Sequence, residues 1–396
     1  MESAEEYQRQ LLGQIRYTNR ENPISQSTEN AYLQTPRHLF VSRYRALRSK
    51  DWCEVSADNL AEHLTALYAD LPLILSLDGD GDIASTISQP SFVLRMLDML
   101  RLEPGQTVFE LGAGSGWNAA LLSRLVGPTG HVYSLEIIPD MARRAAAAIQ
   151  ALGIRNVSII EADGGEGYAL GGPFDRSIFT AGTDDIPRPF YHQVKNGGLL
   201  LVAIRVEGGG DNLFLLRKAE NHFESIESLP CAFVQMSGKY RIDSLAPICL
   251  EKLPEWRDLR DKELSKTPFW WGGKGKESFV WRTWGIRSFL GVTEPLFQTF
   301  KTDKATGNLC EEEYFGLWDR PGRSLVIAKD DALMSYGSLA AKERLMQDLE
   351  SWLSLGMPMT ASFELQVYPS DARLNPGKNQ WTVKRNESQF LWSLAI

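Results

Sequence analysis

The stretch VFELGAGSGWNAA (Val108 to Ala120) constrains the fold more than any other part of the chain. A short apolar run ends in three glycines, Gly112, Gly114 and Gly116, and passes directly into a helical pattern. Glycine there permits a tight turn, lets the backbone approach a ligand and leaves N–H groups at a helix start pointing outward. The spacing is GxGxG preceded by Glu110, which differs from the GxGxxG of dinucleotide sites. A plain tight strand-to-helix connection carries the same glycines, so the flanking pattern must decide.

Strands and helices alternate around it. Thr107 to Gly112, His131 to Ile137, Asn156 to Asp163, Phe174 to Gly182 and Gly197 to Arg205 are strand-length apolar runs. Helical patterns separate the first three, over Asn118 to Gly127 and Pro139 to Gly153. Apolar rather than alternating strands in a βαβαβ order predict an α/β fold with a doubly wound, Rossmann-like parallel sheet covered on both faces. DNLFLLRKA and SLPCAFVQM are expected to close one edge, ending the domain near Lys239. Upstream, residues 5–20 and 28–49 read as helices, and SFVLRMLDML from Ser91 as another. At 396 residues the chain exceeds the usual size of one core. Downstream of Tyr240 lie nine of the eleven tryptophans, a helical pattern from Ala340 to Gly356 and a strand pattern from Ala361 to Pro369. The expected layout is a helical N-terminal segment (1–82) packing on an α/β domain (83–240), then a Trp-rich mixed α/β domain (241–396).

Several functions are disfavoured by what surrounds this pattern. A net charge of −8 gives no footprint for a nucleic-acid backbone. No apolar run approaches the roughly 18 residues needed to span a bilayer, and the acidic, amphipathic N-terminus is unlike a targeting peptide. Cys53, Cys231, Cys249 and Cys310 stand far apart, as reduced thiols of a cytoplasmic protein would. Five histidines are scattered without metal spacing, so no metal site is expected. GKGKES (Gly273 to Ser278) lacks the P-loop pattern, and no GxSxG is present.

The expected ligand is a nucleoside. Glu136 ends the second strand, 24 residues after Gly112, where a carboxylate can take both hydroxyls of a ribose. Asp163-Gly164 ends the third, within reach of an adenine amino group. An open α/β sheet binds at such carboxyl ends. No phosphate-clasping lysine follows the glycines, which favours S-adenosylmethionine over NAD or ATP. Ahead of the first helix of this region stands IASTISQP (Ile83 to Pro90). Its hydroxyls either cap that helix, with Pro90 in the first turn, or face a ligand.

Together these segments resemble the protein-L-isoaspartate O-methyltransferase family. The resemblance runs from PRHLFV through TISQPSFVLRMLDMLRLEPGQTVFELGAGSGWNAALLSRLVG, VYSLEIIPDMARRA, NVSIIEADGGEG and PFDRSIFTAG to IPRPFYHQVKNGGLLLVAI, about residues 30–240. CAFVQMSGKY looks like the family's last core strand. The resemblance implies a class I S-adenosylmethionine-dependent methyltransferase that esterifies L-isoaspartyl or D-aspartyl carboxylates in protein repair. It implies cofactor-binding roles for Glu110, Gly112, Gly114, Gly116, Glu136, Ile137, Asp163 and Gly164, and an active-site position at Ser88 with Thr86 beside it. Two departures stand out. The lead into TISQP is LDGDGDIAS, whose Asp78, Asp80 and Asp82 are either solvated loop residues or selectors of a different peptide context. An EF-hand reading of DGDGD fails, because Ile83 and Gln89 occupy its sixth and twelfth positions. The second departure is the C-terminal region, which short repair enzymes lack. It leaves open a peptide-tailoring aspartyl methyltransferase, or a cofactor-binding adaptor without turnover. The aromatic segment Phe269 to Trp284 is either a peptide platform or core.

Overall fold

The computed structural model describes residues 3–206, 211–242, 247–269, 271, 279–301 and 313–394. Trp270, GKGKES and Cys310 lie outside the described residues, as does the side chain of Trp281. The first helix, α1 (Ala4–Thr18), starts at a capping box in which Ser3 and Glu6 satisfy each other's backbone N–H groups. α2 (Gln26–Leu33) is only 8 residues long, so the helix expected over 28–49 is a correction. Pro36 disfavours helical backbone at Thr35 and ends it. A single 3₁₀ turn at Arg37–Phe40 follows, then strand β1 (Arg43–Ala46). With β2 (Cys53–Glu54), β3 (Leu73–Leu77) and β4 (Ile83–Ile87) it forms a four-stranded antiparallel sheet in the order β2-β1-β3-β4, with the short helix α3 (Leu60–Leu67) between β2 and β3. The N-terminal segment is therefore mixed rather than helical, and the expected boundary at 82/83 cuts a hairpin. Asp78, Asp80 and Asp82 sit at that hairpin's exposed tip, where Asp78 Oδ1 accepts from the N–H groups of the other two. They are solvated turn residues.

The central sheet follows the expected winding. β5 (Thr107–Leu111), β6 (His131–Glu136), β7 (Val157–Glu161), β8 (Phe174–Thr183) and β9 (Val194–Arg205) run parallel in the order β7-β6-β5-β8-β9. The chain moves outward from β5 to β7, then crosses back to β8, so the switch point lies between β5 and β8. Helices α4 (Pro90–Met99), α5 (Trp117–Val126) and α6 (Pro139–Ala151) contribute to a core that also takes Leu11, Leu12, Ile15 and Tyr32 from the N-terminal helices.

On the other side of β9 the layout departs from expectation. β10 (Asp211–Lys218) and β11 (Phe223–Cys231) add antiparallel strands but do not close the sheet. The chain runs through β12 (Ile248–Cys249), β13 (Glu263–Pro268), β14 (Phe297–Lys301), β15 (Glu313–Asp319), β16 (Ser324–Lys329) and β17 (Ala332–Tyr336), a second sheet of six strands in the order β12-β14-β15-β16-β17-β13. It then returns: β18 (Phe363–Pro369) pairs with β11 through Phe223–Val367, and β20 (Ser388–Leu394) and β19 (Gln380–Lys384) continue outward, making ten strands. Residues 363–394 thus belong to the central sheet, not to a separate domain. One apolar cluster unites Phe109, Phe179 and Phe214 with Phe289, Phe363 and Trp392. Asp185, after β8, also fastens the returning chain: it accepts from Glu387 N at 2.7 Å and from the Ser388 hydroxyl. Among the C-terminal tryptophans whose side chains are described, Trp284, Trp318 and Trp392 are buried, while Trp256, Trp271, Trp352 and Trp381 are half-buried. Trp392 is fully buried, and Trp271 packs on Phe269 at 4.5 Å and on Phe315 at 5.3 Å, which removes it from an exposed platform.

Candidate active site

At the carboxyl ends of β5 to β9 lies one cavity of about 1120 Å³. It brings together Gly112, Gly114, Glu136, Ile137, Asp163, Gly164, Thr86 and Ser88. A pocket burying one small ligand measures roughly 300–1,000 Å³, so there is room for a cofactor and part of an acceptor.

The glycine turn is built for close approach. Gly112 and Gly114 have φ of 90° and 54°, and a Cβ on Gly112 would stand 2.6 Å from Thr180 Oγ1. Thr180 Oγ1 in turn donates to Leu111 O, tying the turn to β8. The Glu136 carboxylate accepts from Gly114 N at 2.7 Å and from Ile138 N at 2.9 Å, one backbone donor per oxygen. Burial pushes its pKa up, and those donors hold it down in part. Each oxygen keeps lone pairs for a vicinal diol. Asp163 accepts from Gly165 N and Lys239 N, both at 2.9 Å, leaving lone pairs for an amino group. These groups, with three glycines lining the cavity, fit a nucleoside.

Two expected cofactor residues stand elsewhere. Glu110 is wholly buried beneath the turn, where Asn118 Nδ2 donates to it at 2.7 Å and the Ser134 hydroxyl donates to its other oxygen. Burial pushes its pKa up to about 7. It braces β5, β6 and α5 and does not line the cavity. Gly116 is likewise absent from the cavity wall: its N–H donates to Ala113 O, and a Cβ there would meet Ala145 of α6 at 3.2 Å. Its φ of 85° and that helix contact account for the glycine.

The hydroxyls of IASTISQP do not cap α4. Asp70 does so from 21 residues upstream, accepting from Ser91 N at 2.8 Å while Gln89 Nε2 donates to its other oxygen at 3.0 Å. Behind the same segment stands Arg37, fully buried, whose guanidinium donates to Leu67 O (2.7 Å), Leu71 O (3.0 Å), Ser88 O (3.1 Å) and Ile87 O (3.2 Å). Burial pushes its pKa down to about 10, so it remains charged at neutral pH. Arg37 and Asp70 hold the backbone, and the Ser88 side chain is left facing the cavity. Reading the sequence assigned neither. Arg37 belongs to the PRHLFV segment that carries the family resemblance, while Asp70 carries no local signal because its partners are distant in sequence.

CAFVQMSGKY is also a correction. Only Cys231 belongs to β11; the rest crosses the strand ends as a cover. Phe233 N donates to Asp211 at 2.9 Å, and Met236 N donates to Gly182 O at 2.8 Å. At Gly238, with φ of 97°, a Cβ would stand 2.4 Å from Asp163 Oδ2 and 2.9 Å from Ile137 Cδ1. The far wall comes from the second sheet and its helix, through Trp284, Arg287, Thr299, Tyr314 and Lys329. Among the described residues no cluster of His, Cys, Asp or Glu is arranged to hold a metal, and no helix is long and apolar enough to cross a membrane.

A doubly wound sheet with a glycine turn and two strand-end carboxylates defines a class I S-adenosylmethionine-dependent methyltransferase. The model of the protein-L-isoaspartate(D-aspartate) O-methyltransferase family matches residues 19–241, and the chain belongs to that family. The protein-L-isoaspartate O-methyltransferase of Ignicoccus hospitalis is 38% identical over 169 residues, 43% of this chain and 77% of its own. That of Methanothrix thermoacetophila is 34% identical over 220 residues, 55% of this chain and 91% of its own. A solved structure of a protein-L-isoaspartate O-methyltransferase matches 91% of this chain and 96% of its own, with TM-score 0.53 and 23% identity. That likeness is one of fold, and it reaches well beyond the residues the sequence relatives cover.

Proposed function

We infer that this enzyme methylates an aspartyl-derived carboxylate of a protein or peptide, with the L-isoaspartyl or D-aspartyl group of damaged proteins as its acceptor. The observation that supports this most directly is the cavity that Ser88 and Thr86 line together with Glu136 and Asp163, while Arg37 and Asp70 take over the structural duties of their segment. S-adenosylmethionine, when bound, supplies a methyl group on a sulfonium. The acceptor carboxylate is already ionised at neutral pH, so no general base is needed. What the chain supplies is orientation. Glu136 and Asp163 hold the nucleoside. The Ser88 and Thr86 hydroxyls donate to the acceptor carboxylate and set its angle of approach. Phe92, Phe233 and Trp284 keep bulk water from the reacting oxygen.

The test uses radiolabelled S-adenosylmethionine with matched peptides carrying L-isoaspartate or L-aspartate, and base-labile methyl ester as the readout. Labelling confined to the isoaspartyl peptide, and at least ten-fold slower in Ser88→Ala, is the expected result. Labelling of the aspartyl peptide alone points instead to a tailoring enzyme. Cofactor binding with neither peptide labelled removes the repair reading.

A further inference from the structure

One charged side chain in the cavity has no part in the chemistry above. Arg205 ends β9 and lines the cavity at its far end from Glu136. Its Nε lies 3.7 Å from Asp184 Oδ1 and 3.8 Å from Asp211 Oδ1, beyond hydrogen-bond length. The two carboxylates differ in what else they hold. Asp211 accepts from Phe233 N at 2.9 Å and from Gln235 Nε2 at 3.1 Å, holding the cover segment. Asp184 Oδ1 is buried without a hydrogen-bond partner among the described residues, and its carboxylate lies in the field of Arg385 and Arg241 as well as Arg205. Among the described residues Arg205 thus has ionic neighbours at a distance and a guanidinium fork still able to donate.

We propose that Arg205 selects the acceptor by pairing with a second carboxylate on it, three or four residues along the chain from the reacting one. The spacing follows from the sheet. β9 lies two strands from β5, and strands stand about 4.8 Å apart, a lateral step of about 10 Å. Leu111 pairs with Phe179 and Gly182 with Ala203, so Arg205 also stands two to three residues beyond the level of the glycine turn, roughly 7–10 Å along the strands. The two steps combine to about 12–14 Å, and an extended chain advances about 3.3 Å per residue, so three or four residues cover the gap. A guanidinium takes a carboxylate with two parallel hydrogen bonds, a geometry neither Asp184 nor Asp211 makes with it. Lys329 and Asp330 line the opposite wall as a pair of opposite charges, so Arg205 is the group that would set a preference for an acidic segment. Phe279 and Trp284 line the same cavity, and the exclusion of water by such groups strengthens an ion pair formed there. The preferred acceptor is therefore an acidic peptide. This rests on the proposed carboxylate methylation, whose failure is read out separately below.

The experiment uses isoaspartyl peptides with a single Glu or Gln at each of the third and fourth positions on either side of the acceptor. Their binding to the full-length enzyme is measured by fluorescence anisotropy with S-adenosylhomocysteine present. At one position the Glu peptide is expected to bind at least ten-fold tighter than its Gln partner, less so as salt rises. Arg205→Gln is expected to abolish that difference and Arg205→Lys to keep part of it. Equal affinity of Glu and Gln peptides for the wild type at all four positions, absence of binding by either included, overturns the proposal without relying on a variant. Equal weakening of both peptides by Arg205→Gln also overturns it, reducing Arg205 to a counter-ion of Asp184 and Asp211. Methyl transfer to the Gln peptides by the wild type reports separately on the reaction itself.

Discussion

Asp70→Ala removes the carboxylate that caps α4 without touching any group that holds the cofactor. Two hydrogen bonds disappear, from Ser91 N and Gln89 Nε2. Loss of an N-cap side chain costs about 0.5–2 kcal/mol, and loss of its charge at a helix N-terminus a further 0.3–1 kcal/mol. The expected destabilisation is about 2 kcal/mol, measured by denaturant unfolding; at about 2.1 cal/mol/K per residue this is a fall in Tm of about 2 °C if the chain unfolds as one unit. The larger effect falls on turnover. Gln89 and Ser91 flank the turn after Ser88, so a frayed first turn lets the Ser88 hydroxyl move by about 1 Å, enough to cost up to about 10²-fold. The kcat for an isoaspartyl peptide should fall 10- to 100-fold while the KM for S-adenosylmethionine stays within two-fold, because Glu136 and Asp163 keep their partners. Unchanged kcat in a variant that shows the stability loss refutes the reasoning. So does a cofactor KM that rises as much as kcat falls.

Gly238→Ala should lower cofactor affinity at least ten-fold by calorimetry, since its Cβ would collide with Asp163 and Ile137 at a positive φ; affinity within two-fold of wild type contradicts the cover-segment geometry. Glu110 has a folded pKa of about 7, above its ordinary value of 4.5, so its protonation favours the native state and stability falls as pH rises from about 4.5 to 7. Glu110→Gln should remove that slope, at most about 1.4 kcal/mol per pH unit, in unfolding experiments across that range; an identical slope in wild type and variant refutes it. Trp392→Ala should cost about 3–5 kcal/mol in a single cooperative transition that also abolishes cofactor binding, because Trp392 shares a core with Phe214. Two separate transitions, with the cofactor-binding one unmoved, would restore an independent C-terminal domain.

The sequence by itself determined the parallel half of the sheet and the gathering of Gly112, Gly114, Glu136 and Asp163 at its strand ends. Both are local signals: apolar runs of strand length, a glycine triplet at one strand end, and Glu136 and Asp163 at the next two, all set by backbone geometry within a few residues. The run IASTISQP by itself left its hydroxyls either as caps or facing a ligand; the family resemblance singled out Ser88, and the structure puts it on the cavity wall. The tertiary structure decided what depends on partners distant in the chain. Asp70 rather than a nearby hydroxyl caps α4, and Arg37 reaches carbonyls 30 to 51 residues away. Glu110 looks like a ligand from its place beside the glycines, yet faces inward, because residues of a strand alternate sides and position alone does not reveal which side is covered. The boundary near residue 240 coincides with the end of the family match at 241, but it does not mark off an independent domain. A strand edge at β11 is indistinguishable in sequence from a finished edge, and only the return of Phe363–Pro369 shows that it is filled from the far end of the chain, which also brings the second sheet over the cavity.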